Sequence, residues 1–128
     1  MSNSIKYSST RGGESSLSYE DVLLSGLARD GGLFMPEEWP QFSHSDLNEM
    51  KHLNYAELSA KIIRPFVEPC LSENELLNIS KDTYSVFKKD VAPLYQLNKN
   101  LHVLELFQGP TLAFKDYAMQ FLARAFNQ

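Results

Sequence analysis

Side-chain patterning over the first third of the chain predicts two short strands on either side of one helix. Residues 5, 7 and 9 (Ile, Tyr, Ser) alternate with residues 6, 8 and 10 (Lys, Ser, Thr), which is typical of a short strand that ends at Arg-Gly-Gly, 11–13. Ser18 and Asp21 have the spacing of a helix capping box and precede an apolar stripe at helical spacing. That helix is expected to end near Ala28. The Asp-Gly-Gly turn at 30–32 then leads into the apolar triplet 33–35, which predicts the second strand.

Apolar positions at helical spacing predict three helices in the middle of the chain. The first is expected over residues 45–52. The Asn-to-Glu pair at 54–57 and the Ser-to-Glu pair at 72–75 have capping spacing and open the other two helices. Pro65 and Pro69 are expected to kink or end the second helix, because proline removes a backbone donor and clashes with the preceding turn.

Two mostly apolar runs nearer the C-terminus predict a β-hairpin. Residues 91–97 and 101–107 are strand-like, and the polar turn 98–100 joins them. Gly109 and Pro110 stop the second strand, because proline cannot donate to a ladder. The helix expected after this turn has a core-facing stripe formed by Phe114, Ala118, Phe121, Leu122 and Ala125.

That last helix is expected to carry a lysine, Lys115, in its first turn. Thr111 is the expected N-cap, since its hydroxyl accepts a free N–H of a first turn. Lys115 leads an apolar row with Met119, so its stem is expected to lie against apolar surface. Burial beside the positive end of a helix dipole favours a neutral, nucleophilic amine. Spacing alone favours the alternative of a solvated lysine that pairs with Asp116 or with water.

Composition and charge limit the classes of function. The chain has 128 residues, is 43% hydrophobic and carries a net charge of -4, as expected for a globular domain with a modest core. Its basic residues form no stripe, so nucleic acid is not an expected partner. Residues 1–4 lack the features of a signal peptide, and no apolar stretch reaches membrane-spanning length. We expect a cytoplasmic protein without a membrane partner.

The residue types that bind metals show no suitable spacing. Cys70 is the single cysteine, and His44, His52 and His102 are far apart in the sequence. We therefore expect no disulfide and no metal site. A catalytic arrangement of nucleophile, histidine and acid is also not evident.

Three segments resemble threonine synthases. Residues 104–116 (Leu-Glu-Leu-Phe-Gln-Gly-Pro-Thr-Leu-Ala-Phe-Lys-Asp) resemble the segment of that family that holds the pyridoxal phosphate (PLP) lysine. Residues 7–12 (Tyr-Ser-Ser-Thr-Arg-Gly) resemble the opening signature, and residues 26–36 resemble a second landmark. Gln108 stands where the family often has His, and a glutamine does not titrate. The similarity covers essentially the whole chain.

The resemblance implies an α/β fold of the tryptophan-synthase-β type. Residues 1–97 would form a mostly helical N-terminal domain with short strands and a β-hairpin, and residues 98–128 would lead into the first helix of a PLP fold-type-II catalytic domain. Lys115 would be the catalytic and PLP-binding residue. The implied reaction converts O-phospho-L-homoserine and water into L-threonine and phosphate. Arg11 is a candidate contact for the substrate phosphate, although an ordinary ion pair is the favoured interpretation.

A PLP site also needs a phosphate cradle, which in this family is a glycine-rich loop after the lysine. No glycine follows Lys115 in this chain, so we expect an N-terminal piece of a longer enzyme, inactive without its C-terminal catalytic region. Apolar surface on the Lys115 helix should then lack its cover. Two alternatives stay open. One is a related phospho-lyase with another phosphorylated hydroxy-amino acid as substrate, and the other is a stand-alone, non-enzymatic protein-binding domain.

Overall fold

A computed structural model describes residues 4–88 and 90–127, and within them it contains five helices and two small antiparallel sheets. The expected mixed fold, mostly helical with short strands and a hairpin, is confirmed. The elements in chain order are β1 (Tyr7–Ser9), α1 (Tyr19–Ser25), β2 (Phe34–Pro36), α2 (His44–Met50), α3 (Tyr55–Val67), α4 (Glu73–Tyr84), β3 (Leu94–Asn98), β4 (Leu101–Leu104) and α5 (Asp116–Ala125). Most of the N-terminal segment at 1–4 and the chain end at Gln128 lie outside the described residues.

The chain divides into two compact units. One contains Met1–His52 and Ala60–Leu76, and the other contains Leu53–Ser59 and Leu77–Gln128. The domain boundary expected between residues 97 and 98 stays a prediction. Across residues 4–88 and 90–127, no helix is long and apolar enough to cross a membrane. In the same residues, no three His, Cys, Asp or Glu side chains form a group that could hold a metal ion.

β1 and β2 form the sheet of the first unit. Their antiparallel register pairs Tyr7 with Pro36 and Ser9 with Phe34. Tyr7 is buried, and its hydroxyl donates to the carbonyl oxygen of Phe66 at 2.5 Å. Burial raises the pKa of Tyr7 to about 12. This contact holds β1 to the last turns of α3.

Side-chain caps explain where four of the helices begin. In each, a Ser or Asn side chain accepts from the backbone N–H three residues later, and the acidic side chain there accepts from the backbone N–H of the cap. The four pairs are Ser18 with Asp21, Ser43 with Asp46, Asn54 with Glu57, and Ser72 with Glu75. The sequence predicted three of them. The fourth, Ser43, starts α2 at His44, one residue earlier than expected.

Two helix ends differ from the sequence-based prediction. α1 ends at Ser25 and not near Ala28, because Gly26 adopts a φ of +71° and its N–H donates to the carbonyl oxygen of Val22. α2 ends at Met50 and not at His52. The end of α3 agrees with the prediction, because the helix continues through Pro65 to Val67 and stops two residues before Pro69.

The second unit contains the predicted β-hairpin. β3 and β4 pair antiparallel, with Leu94 opposite Leu104 and Tyr95 opposite Val103. Both strands are shorter than the apolar runs that predicted them, and all of their residues are exposed. The register shifts between Gln96 and Asn98, just before the turn. The backbone of this hairpin is therefore regular, while its apolar side chains have little cover.

Four aromatic side chains of the second unit form a continuous row, which we call the aromatic row. Ring centroids are 4.7 Å apart for Tyr55 and Tyr84, 5.5 Å for Tyr84 and Phe87, and 4.8 Å for Phe87 and Tyr117. All three pairs are tilted or edge-on, the arrangement that aromatic quadrupoles favour. The row reaches Tyr117, two residues after the lysine identified from the sequence.

Candidate functional site

The segment that leads to Lys115 is fixed first at Gln108. Gln108 is buried, its side-chain amide donates to Glu105 Oε2 at 2.9 Å, and its carbonyl oxygen accepts from Lys88 N at 3.1 Å. Glu105 N donates in turn to the carbonyl oxygen of Pro93 at 3.0 Å, which extends the hairpin by one bond beyond β4. Gln108 therefore holds the end of the hairpin in place through both its backbone and its side chain.

The helix that carries the lysine starts later than the sequence predicted. α5 begins at Asp116, with Lys115 at the N-cap position, so Lys115 precedes the first turn and Thr111 is not the N-cap. Leu112 explains the difference, because its φ of +61° is left-handed and stops a helix from starting at Thr111. The residues from Gly109 to Lys115 form successive turns instead.

Asp116 closes these turns. Its Oδ1 accepts from the hydroxyl of Thr111 and its Oδ2 accepts from the backbone N–H of Thr111, both at 2.8 Å. The Asp116 residue is only 4% exposed. A Cβ added at Gly109 would lie 2.5 Å from Asp116 Oδ2, so only glycine allows this approach. We call residues 109–116 the lysine loop.

Lys115 itself is exposed at the end of this loop. Its backbone has φ −62° and ψ −21°, and its carbonyl oxygen accepts from Met119 N at 2.9 Å, so the main chain is already helical here. Among the described residues, no carboxylate forms an ion pair with its Nζ. Of the two partners in the solvated-lysine alternative, Asp116 forms no ion pair with Lys115, and its two carboxylate oxygens accept hydrogen bonds from Thr111. Within the described residues the amine therefore has no ion-pair partner, and Lys115 lies at the positive end of α5.

The predicted apolar stripe of this helix is only partly correct. Ala125 is buried, and Phe121 and Leu122 are half-buried. Phe114 is 68% exposed, because it lies before the helix begins and helical spacing does not apply to it. Met119, which was expected to line the row below Lys115, is 54% exposed. Met119 is therefore not part of a buried surface next to Lys115, as the predicted row required.

Tyr117 also contributes to this site, and the sequence alone did not reveal its role. Its hydroxyl donates to the carbonyl oxygen of Val91, and its ring packs on Phe87 at the end of the aromatic row. Desolvation raises the pKa of Tyr117. These contacts hold the first turn of α5 against the rest of the second unit. They thereby also hold Lys115, which directly precedes that turn. The signal in the sequence was the aromatic spacing alone, which does not reveal its partners.

The two N-terminal landmarks meet at Asp30. Its carboxylate accepts from Ser9 Oγ at 2.7 and 2.8 Å, and from the backbone N–H groups of Gly13 and Gly32 at 2.8 Å. The hydrogen bond from Ser9 is the main cause that lowers the pKa of Asp30. Arg11 Nη1 donates to the carbonyl oxygen of Asp30 at 3.0 Å, so its partner is a backbone carbonyl and not a carboxylate. This cluster fixes the fold of the first unit.

Comparisons with known proteins agree with this description. The family model described as "Threonine synthase N terminus" matches residues 6–84. Threonine synthase of Pseudomonas aeruginosa is 50% identical over 121 residues, which cover 94% of this chain and 26% of that protein. Threonine synthase-like 2 of Xenopus laevis is 38% identical over 117 residues, which cover 90% of this chain and 25% of that protein.

The solved structures point the same way. The crystal structure of PLP-bound threonine synthase from Brucella melitensis superposes with a TM-score of 0.90 and 45% sequence identity. The matched region covers 94% of this chain and 26% of the Brucella melitensis chain. The chain thus spans about a quarter of the length of the curated relatives that it matches. Since the family model covers more than half of the chain, the chain belongs to the threonine synthase N terminus family.

Proposed function

We propose that this chain forms the N-terminal region of a PLP-dependent threonine synthase, a carbon–oxygen lyase that acts on phosphates, and that it contributes the lysine that binds the cofactor. The reaction converts O-phospho-L-homoserine and water into L-threonine and phosphate. Residues beyond this quarter of the protein supply the rest of the site. The observation that carries the proposal is the exposed Lys115, which forms no ion pair within residues 4–88 and 90–127, at the end of a closed loop and inside a segment that resembles the PLP-lysine segment of threonine synthases.

The chemistry of Lys115 fits the cofactor. PLP bonds covalently to a primary amine that is unpaired and accessible, and Lys115 is exposed with no ion pair among the described residues. When bound, PLP supplies an electron sink for the reacting carbon atoms. Lys115 Nζ holds the cofactor and moves protons between substrate carbons. Because the chain spans about a quarter of the relatives that it matches, we propose that residues in the remaining part of such a protein form the cradle for the cofactor phosphate.

Exposed apolar side chains support a further partner within the same protein. The hairpin and the segment from Leu112 to Phe126 expose large apolar side chains that a stable soluble protein normally covers. The most exposed of them are Leu94, Tyr95, Leu97, Leu112, Phe114 and Met119. We propose that the C-terminal catalytic region covers this surface, and that this chain alone is inactive.

Two alternatives predict different results. One alternative is a related phospho-lyase with another phosphorylated hydroxy-amino acid as substrate; the chain is also similar to threonine synthase-like 2, at 38% identity. A stand-alone, non-enzymatic protein-binding domain would use the same exposed apolar side chains for an unrelated partner. The first alternative keeps the role of Lys115 and changes the substrate. The second removes any need for the lysine.

The test is phosphate release by the full-length protein, loaded with PLP. We expect release from O-phospho-L-homoserine in preference to O-phosphoserine and O-phosphothreonine. Lys115→Ala should abolish it, while Lys99→Ala, at an exposed lysine of the hairpin turn, should leave it unchanged. Release from phosphoserine or phosphothreonine alone would favour the related phospho-lyase. Equal activity of Lys115→Ala and the unmodified protein would contradict the role of Lys115.

A further inference from the structure

The carboxylate of Asp116 is buried without a cationic partner. The residue is 4% exposed, and among the described residues no Lys, Arg or His lies within ion-pair distance of it. Both of its oxygens instead accept hydrogen bonds from one residue, Thr111, through the hydroxyl and the backbone N–H. Burying a carboxylate is costly unless it is hydrogen-bonded. The buried carboxylate of Asp116 therefore requires that the loop keep Thr111 in place as its donor. As the first residue of α5, Asp116 also lies at the positive end of the helix.

The same side chain also fixes the start of the lysine loop. Gly109 packs so closely on Asp116 that an added Cβ would lie 2.5 Å from both its Cβ and its Oδ2. Between these contacts, Leu112 adopts a left-handed φ of +61°, which is unfavourable for a residue with a side chain. Such a conformation persists only where surrounding contacts enforce it. The bonds from Thr111 and the close contact with Gly109 are those contacts.

Lys115 is held from both sides by this arrangement. Asp116 N donates to the carbonyl oxygen of Ala113 at 3.0 Å, and Met119 N donates to the carbonyl oxygen of Lys115 at 2.9 Å. The backbone of Lys115 therefore has one end fixed by the loop and the other fixed by α5. Lys115 is exposed, and the direction in which its side chain leaves the chain depends on this backbone.

We propose that Asp116 is a positioning residue for Lys115. Its buried carboxylate closes residues 109–116 and thereby sets the direction in which Lys115 Nζ leaves the start of α5 towards the cofactor. The inference rests on the proposed function of Lys115 and adds a second residue to it. Asp116 acts through the loop and makes no contact with the amine.

The test compares Asp116→Asn, Asp116→Ala and Thr111→Val in the full-length protein. An asparagine still accepts one hydrogen bond, so its effect should fall between those of the unmodified protein and the alanine variant. Asp82→Asn, at an exposed aspartate of α4, is the matched control. Three quantities are measured: the rate of PLP loading, the pH dependence of the absorbance of bound PLP, and kcat with KM.

We expect Asp116→Ala to lower kcat about 10- to 100-fold with KM changed less than about threefold, because misplacing a reacting group mainly affects the chemical step. Loading should slow, and the pH dependence of the absorbance should shift, with Asp116→Asn and Thr111→Val intermediate. Asp82→Asn should behave like the unmodified protein. A merely structural residue would lower the amount of folded protein but leave the absorbance profile and the split between kcat and KM unchanged.

Two outcomes separate this inference from the proposed function. If reduction with borohydride attaches PLP to Lys115 in every variant, and all variants keep the unmodified loading rate, absorbance profile and kcat, the positioning role is wrong while the function of Lys115 stands. If the unmodified protein carries PLP on another lysine, both are wrong. If Asp116→Ala does not fold, Thr111→Val and Asp116→Asn decide the question, because both keep at least one bond of the pair.

Discussion

Tyr117 Oη donates a hydrogen bond to the carbonyl oxygen of Val91, and this contact ties the first turn of α5 to the chain just before the hairpin. The Tyr117 ring also packs on Phe87 with their centroids 4.8 Å apart. The position of the first turn of α5, directly after Lys115, thus depends on the hydroxyl and the ring of Tyr117.

Tyr117→Phe should remove the hydroxyl contact and keep the ring contact. The loss of one hydrogen bond costs about 1 kcal/mol, which corresponds to a roughly fivefold larger equilibrium constant for local opening. Amide hydrogen exchange of α5 in the full-length protein measures it. Tyr95→Phe, at an exposed tyrosine of the hairpin, is the control and should leave exchange unchanged. Unchanged exchange in Tyr117→Phe would show that the contact does not hold α5.

Gly109→Ala should destabilise the lysine loop, because the new Cβ would collide with Asp116 Cβ and Oδ2 at 2.5 Å. We expect a loss of about 1–3 kcal/mol in the free energy of unfolding, as for overpacked sites. Urea unfolding of the full-length protein measures it. Gly26→Ala is the comparison, since nothing lies within 4 Å of its added Cβ and its cost comes from a φ of +71° alone. If PLP loading slows in Gly109→Ala but not in Gly26→Ala, the collision with Asp116 disturbs the lysine loop itself and not only the overall stability.

Thr83→Val and Thr111→Val should change stability in opposite directions. Thr83 is fully buried, and its hydroxyl has no hydrogen-bond partner among residues 4–88 and 90–127. Replacing that hydroxyl by a methyl group should stabilise the protein by about 1 kcal/mol, because an unsatisfied buried polar group is costly. Thr111→Val removes the hydroxyl that donates to Asp116 and should lower the free energy of unfolding. Urea unfolding measures both, and a loss of stability in Thr83→Val would contradict this account.

Asp30 should make the stability of the first unit depend on pH. Hydrogen bonds, first of all from Ser9, lower the pKa of Asp30 in the folded state. Its charged form therefore stabilises the fold fully above the unfolded-state pKa of about 3.9, and this stabilisation is lost as the pH falls through the lower folded-state pKa. The difference in melting temperature between the unmodified protein and Asp30→Asn should thus become smaller as the pH falls from 5 to about 2–3. A constant difference for Asp30→Asn over this pH range would contradict the assignment.

Features that depend on neighbours in sequence were predictable. The caps at Ser18, Asn54 and Ser72 were identified because donor and acceptor are three residues apart. The hairpin was identified because its turn is local. These elements form from chain geometry that a short window of sequence already contains.

Features that depend on distant or unusual backbone geometry were not predictable. Helical spacing at Phe114 and Lys115 suggested that α5 starts after Thr111, but the left-handed Leu112 and the closure by Asp116 delay it. The junction of the two N-terminal landmarks at Asp30 also brings together residues about twenty positions apart. Hydrophobic periodicity contains no information on either arrangement.

The most direct test of the central claim is to find the lysine that carries the cofactor. The full-length protein is loaded with PLP and reduced with borohydride, and its peptides are mapped by mass spectrometry. We predict the label on Lys115, at the end of the lysine loop. A label on any other lysine would contradict the assignment of Lys115 and the proposed function built on it.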